Sequence, residues 1–288
     1  MDATIIKEYR DFSLEVRKLS PKTVDEYVRV LESFEIDLLK VSGPSEIDQS
    51  IIDLSQKKGW GDRYVYKYAV VLKTFYQWLL YREITVKNLY PYSKIRKPKQ
   101  KEAEFLTQKE FEFIYEASAK SPFITRQDIT LLKLMWDTGL RRSEVSLLDR
   151  QDVLFDDSVI RLPMEKTKGK NRSRFLPYTP DCALLINEQL THSGLFAQGE
   201  HLFLNEDFGR MSPLGVYGRI QKIAQISEKT VRPHMLRHSL GIRILNNGGD
   251  IGFCAKLLGH ESLNTTLHYL NICKDSAKEN YDKFVISS

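Results

Sequence analysis

The 288-residue sequence has few cysteines and no long apolar run. Its three cysteines, Cys182, Cys254 and Cys273, lie far apart and form no CxxC pair. This pattern excludes a disulfide framework and a zinc knuckle, so we expect the three cysteines to act as small, buried apolar residues. No window approaches the ~18 consecutive apolar residues of a membrane helix. The charged start, MDATIIKEYRDF, lacks a signal-peptide core. These absences predict a soluble, cytoplasmic protein that does not act with a membrane.

Internal repeats and low-complexity tracts are also missing from the sequence. Because domains usually span roughly 100–200 residues, the length favours two of them. The stretch at 91–104, PYSKIRKPKQKEAE, has two prolines, several charges and almost no large apolar residue, which is typical of a linker. We therefore predict a first domain over residues 1–92, a basic linker over 93–104 and a second domain over 105–288.

Helical signals dominate the first domain. Ser20 followed by Pro21 is typical of a capped helix start, and the apolar residues after it recur at helical spacing. A second amphipathic pattern runs over 64–81, and its aromatic side is predicted to form the core.

The second domain is predicted to be mainly helical with one small sheet. Thr107 and Glu110 have the spacing of a capping box. An apolar helix over 128–138 is expected to end at Gly139, with a short helix over 143–148 after it. Residues 159–162 and 174–177 are predicted to be strands joined by the turn KGKN, which makes a basic hairpin.

Positive charge is modest in amount but clustered. The net charge is +5 and the pI is about 8.9. Residues 94–101 carry five positive charges and no negative one, and residues 161–174 carry six against one Glu. Clustered Lys and Arg are typical of a surface that binds a phosphate backbone. A solvated linker and a solvated hairpin explain the same charges, and charge alone does not decide between the two interpretations.

Histidine is concentrated in one stretch, since four of the six histidines lie within 234–270. His234 and Arg237 are three residues apart and share a helix face. Asp250 is predicted to cap a helix that ends at Gly259, directly before His260. A zinc site is not predicted, because HMLRH lacks the Glu of the HExxH pattern and places an Arg between its histidines.

A second candidate motif is TGLRRSE at 138–144. Gly139 forces a sharp turn, so Arg141 is held between two rigid elements. Glu144, three residues further on, either orients Arg141 or forms an ordinary surface pair with it. The motif alone does not decide between these roles.

A phosphodiester suits these residues better than a metal ion does. Arginine binds phosphate in a bidentate way, and a tyrosine oxygen can attack phosphorus. A phenol has a pKa near 10, so it needs a proton acceptor and a positive field to react near neutral pH. The leaving sugar oxygen needs a proton donor, and a lysine of the basic hairpin can supply one.

The set of motifs resembles the tyrosine recombinase (phage integrase) family, and most closely its Xer-type chromosome and plasmid resolvases. The resemblance rests on TGLRRSE at 138–144, HMLRHS at 234–239 and LGHESLNTTLHYL at 258–270, in the family's order and spacing. It implies a mainly α fold with a small β-sheet or hairpin. An all-helical DNA core-binding domain would precede a mixed α+β catalytic domain with a tail helix.

The resemblance also implies roles for individual residues. Tyr269 is the expected nucleophile, forming a 3′-phosphotyrosine, and Glu144 is expected to support the site. Lys168 is the expected general acid, although it lies six residues before Arg174, one more than the usual Xer-like spacing, so Lys166 and Lys170 stay open. The expected phosphate-binding residues are Arg141, His234, Arg237 and His260. The expected DNA-binding residues are Lys94, Arg96, Lys97, Lys99, Lys170 and Arg172.

The implied function is site-specific recombination of double-stranded DNA by a homo-oligomer, a tetrameric synapse in this family, without metal, ATP or another cofactor. The alternatives are a mobile-element integrase, a non-catalytic DNA-binding regulator on the same scaffold and a topoisomerase of type IB. The segment after Tyr269 has an amphipathic pattern. This tail docks either on a neighbouring protomer or on its own domain.

Overall fold

The computed structural model describes residues 3–85, 94–98, 104–163, 166, 173–194, 200–260 and 262–270, with only the backbone at 192–194, 264 and 268–270. The chain divides into two compact units, Met1–Lys101 and Glu102–Ser288. The division falls inside the segment 93–104 that was predicted to be a linker.

The described part of the first unit is helical. The Ser20 side chain accepts a 3.2 Å hydrogen bond from the Thr23 amide, and Pro21 opens the helix behind this cap, as predicted. Tyr9 and Phe75 are fully buried in the unit's core, and their rings meet edge to face at 5.2 Å. The helices of this unit are α1 (Ala3–Glu15), α2 (Pro21–Glu32), α3 (Pro44–Lys58) and α4 (Asp62–Tyr81).

The second unit begins with the predicted capping box, in which Thr107 and Glu110 each bond the other's backbone amide. A second box, Thr125 with Asp128, starts the next helix two residues earlier than the predicted 128. The helix predicted over 143–148 is shorter and ends at Val145. The helices of this unit are α5 (Gln108–Lys120), α6 (Arg126–Thr138), α7 (Arg142–Val145), α8 (Pro180–Gly194), α9 (Pro213–Ile226), α10 (Pro233–Asn246), α11 (Ile251–Leu258) and α12 (Leu263–Leu270).

A three-stranded antiparallel sheet lies in the second unit. Its strands are β1 (Val153–Leu154), β2 (Val159–Leu162) and β3 (Arg174–Pro177), in that order across the sheet. The β2–β3 pair is the predicted hairpin, with Leu162 opposite Arg174. Strand β1 was not predicted, because two residues carry no alternation. The hairpin tip at 167–172 lies outside the described residues.

The observed architecture confirms the predicted fold class, mainly α with a small sheet. Cys182 and Cys254 are fully buried, as expected for small apolar residues, and Cys273 lies outside the described residues. Helix α10 packs against α6, α11 and α12, which brings the predicted motifs together. Among the described residues, no helix has the length and apolar character needed to span a membrane.

Candidate active site

Gly139 ends α6 and places Arg141. Its φ is +62°, a region that glycine enters without strain. A Cβ at this position would lie 2.8 Å from Leu258 Cδ2 and 2.9 Å from Leu240 Cδ2, so the turn packs directly on α10 and α11. Arg141 is the residue before α7, and its side chain is 30% exposed. The turn therefore holds this guanidinium at a partly open position next to α11.

Glu144 orients Arg141 through two contacts. Its Oε2 accepts a 2.8 Å hydrogen bond from the Arg141 amide, and its Oε1 accepts one of 2.9 Å from Arg141 Nη1. The Glu144 side chain is only 1% exposed, which rules out an ordinary surface pair. Burial by itself would raise the pKa of Glu144, but the guanidinium groups of Arg174 and Arg141 outweigh it and keep the pKa below its ordinary value.

Arg237 is buried on α10 beneath the same turn. Its Nη1 donates a 2.7 Å hydrogen bond to the Gly139 carbonyl oxygen, and its Nη2 donates one to the Leu258 carbonyl oxygen. Arg141 Nη2 donates a 3.2 Å hydrogen bond to the next carbonyl oxygen, that of Gly259. Two arginines distant in sequence therefore bind consecutive carbonyls at the end of α11, where a helix leaves such groups unsatisfied.

His260 follows these carbonyls and is tied to the next helix. Its Nδ1 lies 2.8 Å from Thr266 Oγ1, and Thr266 is fully buried on α12. Helix α12 also contains Tyr269, although the side chain of Tyr269 lies outside the description. The contact fixes His260 relative to the helix that carries the expected nucleophile.

His234 is exposed on the helix face that also carries Arg237. Partial desolvation of the ring, together with the positive charges of Arg237, Arg142 and Arg141, lowers the pKa of His234. His238 is one turn further along, with the two ring centroids 6.4 Å apart, and burial lowers its pKa to about 4. His234 is therefore a neutral imidazole at pH 7, able to accept a proton.

Lys166 is the one candidate general acid that falls within the described residues. Its Nζ lies 2.6 Å from Asp149 Oδ2 and 2.5 Å from Asp152 Oδ2, and its side chain is 16% exposed. Asp149 also binds His201 and Arg210, at 2.9 and 2.8 Å. Lys166 is thus engaged in a mostly buried ionic network, whereas Lys168 and Lys170 lie outside the described residues.

The expected DNA-binding residues are described only in part. The side chains of Lys94, Arg96 and Lys97 are exposed, in the first unit. The amide of Lys94 donates a 2.7 Å hydrogen bond to Asp48 Oδ2. Lys99, Lys170 and Arg172 lie outside the described residues.

Arg174 is a member of the site that sequence reasoning did not assign. Its Nη2 donates a 2.6 Å hydrogen bond to Glu144 Oε1, and its Nη1 donates one of 3.1 Å to the Leu257 carbonyl oxygen. The only signal in the sequence was its place at the start of a strand in the basic segment, which equally suits a solvated side chain. With Arg141 and Arg237, Arg174 makes a third arginine bound to the end of α11.

The comparison with known proteins decides the family. Residues 104–275 match the phage integrase family. The chain belongs to the phage integrase family. This membership confirms the resemblance seen in the sequence and the expected enzyme class, a tyrosine-type site-specific recombinase.

Relatives match over nearly the whole chain. Tyrosine recombinase XerC of Bacillus subtilis (strain 168) is 29% identical, covering 92% of this chain and 90% of its own. Tyrosine recombinase XerD of Listeria monocytogenes is 26% identical, covering 97% and 98%. The Tn1549 transposon integrase, solved in complex with transposon right end DNA, shares the fold with a TM-score of 0.79 at 17% identity, covering 97% and 99%.

Proposed function

We propose that this recombinase cuts one DNA strand with Tyr269 and forms a 3′-phosphotyrosine. This intermediate conserves the energy of the broken phosphodiester bond, so that the strand can be rejoined to a new 5′ end. The observation that carries the proposal is the pair Arg141 and Arg237, held on consecutive carbonyls beside His260 and just before the helix that contains Tyr269. Fixed cationic donors at the position where charge develops are usually the largest contribution to such catalysis.

The chemistry follows from the charge and protonation of each group. Arg141 and Arg237 bind the non-bridging oxygens of the scissile phosphate, with His260 as a further hydrogen-bond donor. The Tyr269 oxygen attacks phosphorus, and the neutral His234 accepts the phenol proton. The bond to the 5′ oxygen breaks, and that oxygen takes a proton from Lys168. Rejoining is the reverse reaction, with the 5′ hydroxyl of another strand as the nucleophile.

Lys168 is the proposed general acid because Lys166 is occupied. The Lys166 ammonium is held by hydrogen bonds to the carboxylates of Asp149 and Asp152, which keeps it away from the leaving oxygen. Lys170 remains the alternative to Lys168.

The two units are proposed to share the work on DNA. The first unit, with the exposed Lys94, Arg96 and Lys97, and with Lys99, binds the duplex next to the cleavage site. Lys170 and Arg172 of the hairpin contact the backbone near the scissile phosphate. We propose that four protomers assemble on two copies of a specific site, because exchange between two duplexes requires cleavage of four strands, one by each protomer.

Resolution of chromosome or plasmid dimers is the proposed role, supported by the XerC and XerD relatives. The fold likeness to a transposon integrase keeps integration of a mobile element as the second candidate. Sequencing DNA covalently trapped on the purified protein separates the two. One site per replicon supports dimer resolution, whereas sites at the ends of a mobile element support integration.

The activity itself is tested on a plasmid with two directly repeated copies of the trapped site. The unaltered protein is expected to yield two smaller circles, and Tyr269→Phe is expected to bind the site but yield none. Relaxation of supercoils without separate circles would indicate a topoisomerase. Binding with neither product would indicate a regulator.

A further inference from the structure

Arg174 is the first residue of β3 and lies opposite Leu162 of β2. Its side chain is 11% exposed. One end of its guanidinium bonds Glu144 Oε1 at 2.6 Å, and the other bonds the Leu257 carbonyl oxygen at 3.1 Å. Both contacts are inside the protein, and each joins Arg174 to another element of the site.

The two partners of Arg174 lead to two different phosphate-binding groups. Glu144 Oε1, which accepts from Arg174, also accepts from Arg141 Nη1. Leu257 begins a run of three carbonyls whose other members, Leu258 and Gly259, bind Arg237 and Arg141, and His260 follows this run directly. Arg174 therefore connects the α6–α7 turn, the end of α11 and the hairpin strand.

Gly259 shows how closely Arg174 fits. A Cβ on Gly259 would lie 2.6 Å from Arg174 Nη1 and 2.9 Å from its Cζ, closer than real Cβ contacts. The φ of Gly259 is +64°, so the backbone there also favours glycine. The residue directly before His260 thus has no side chain where the Arg174 guanidinium passes.

The charges give Arg174 a second effect. Glu144 is buried and lies between two guanidinium groups, and the Arg174 contact is the shorter one. Without Arg174, the hydrogen bond from Arg141 would be the one guanidinium hydrogen bond to this buried carboxylate among the described contacts. When a nearby carboxylate partly neutralises a guanidinium, the positive potential that the guanidinium offers to a phosphate is smaller.

We propose that Arg174 is a positioning residue for phosphate binding. It shares the charge of Glu144 so that Arg141 keeps its potential towards the scissile phosphate, and it holds the end of α11 so that His260 stays in register. The inference rests on the proposed function, since it concerns the same phosphate.

The test compares two DNA substrates that differ at the scissile phosphate. One is the natural phosphodiester, and the other is a methylphosphonate, in which a methyl group replaces a charged non-bridging oxygen. Single-turnover formation of the covalent adduct is measured with the full chain. Misplacement of a catalytic group typically lowers a rate by about a hundredfold, and we expect Arg174→Gln to show such a loss on the phosphodiester with an unchanged dissociation constant for the site.

The methylphosphonate separates positioning from a general loss of structure. It carries less charge for Arg141 to stabilise, so the loss caused by Arg174→Gln should be much smaller on it. Arg174→Lys keeps a charge beside Glu144 but cannot also reach the Leu257 carbonyl, so its rate should be intermediate. This variant carries the test if the Gln variant does not fold. Arg126→Gln is the matched control, because among the described residues the Arg126 side chain forms an exposed pair with Glu188 at 3.1 Å.

The inference is overturned if Arg174→Gln cleaves the phosphodiester as fast as Arg126→Gln, or if it loses the same factor on both substrates. Failure of the proposed function looks different, since the unaltered protein would then form no adduct that depends on Tyr269.

Discussion

Arg141 donates a hydrogen bond to the carbonyl oxygen of Gly259, at a distance of 3.2 Å and across 118 residues of sequence. This contact joins the turn after α6 to the residue before His260. It uses one nitrogen of a guanidinium whose Nη1 is already bonded to Glu144. The side chain is thus fixed from two directions while 30% of it stays exposed to a ligand.

Replacing Arg141 by Lys should lower the cleavage rate while leaving site binding intact. An ammonium cannot bond Glu144, the Gly259 carbonyl and a phosphate with the geometry of a guanidinium fork. Loss of one donor to developing charge typically costs roughly a hundredfold to a thousandfold in rate, and single-turnover cleavage measures it. The exposed Arg126→Lys is the control and should cleave normally. An equal rate for Arg141→Lys would contradict the role of Arg141.

Variants of the hairpin lysines should differ in whether a sulfur leaving group restores their cleavage rate. A DNA site with sulfur in place of the scissile 5′ bridging oxygen has a leaving group that needs no proton donor. Lys168→Ala should cleave normal DNA slowly and the sulfur-containing site at nearly the normal rate. Lys166→Ala should lower the free energy of unfolding, because Asp149 and Asp152 lose their shared cation. Rescue of Lys166→Ala by sulfur, without rescue of Lys168→Ala, would reverse the assignment.

Most secondary structure was predictable because its signals are local, whereas the candidate site residues were proposed from the family's motifs. Caps such as Ser20 and Asp250, the turn at Gly139 and the helical apolar spacing act over three or four residues. The contacts that assemble the site are not local. Arg174 reaches Leu257 across 83 residues and Glu144 across 30, and no periodicity encodes such a partner. The sequence likewise places Lys166 in a basic hairpin but does not indicate its partners. These are two aspartates, Asp149 and Asp152, that precede the hairpin.

His238 should make folding stability depend on pH below neutrality. Burial lowers its pKa to about 4 in the folded protein, whereas an unfolded histidine titrates near 6.5. The unfolded chain therefore binds the proton first, and stability falls as the pH drops from about 6.5 to about 4. Denaturation with urea at several pH values measures this slope.

His238→Asn should flatten that slope, and the remaining part belongs to other groups whose pKa is lowered, which include His234 and, near pH 4, Glu144. The assignment fails if the variant keeps the full pH dependence between about pH 6.5 and pH 4.

Gly259→Ala should destabilise the protein and slow cleavage. The new Cβ would meet Arg174 at 2.6 Å in a backbone with φ of +64°. Gly59→Ala is the matched control, since Gly59 has φ of +65° and no atom of the described residues lies within 4 Å of the added Cβ. The control should show only the cost of the left-handed backbone, about 1–2 kcal/mol. Calorimetry and single-turnover cleavage compare the two variants, and equal stability losses with normal cleavage by Gly259→Ala would show that Arg174 simply moves aside.

The most direct measurement is the identity of the residue that becomes covalently bound to DNA. The protein is incubated with a nicked copy of its site, the adduct is isolated under denaturing conditions, and the DNA-linked peptide is sequenced. The account predicts a nucleotide on the Tyr269 oxygen and an adduct that is lost in Tyr269→Phe. The adduct should persist in Tyr281→Phe, since Tyr281 lies after Tyr269 and outside the motifs. A link to any other residue, or an adduct that persists in Tyr269→Phe, would contradict it.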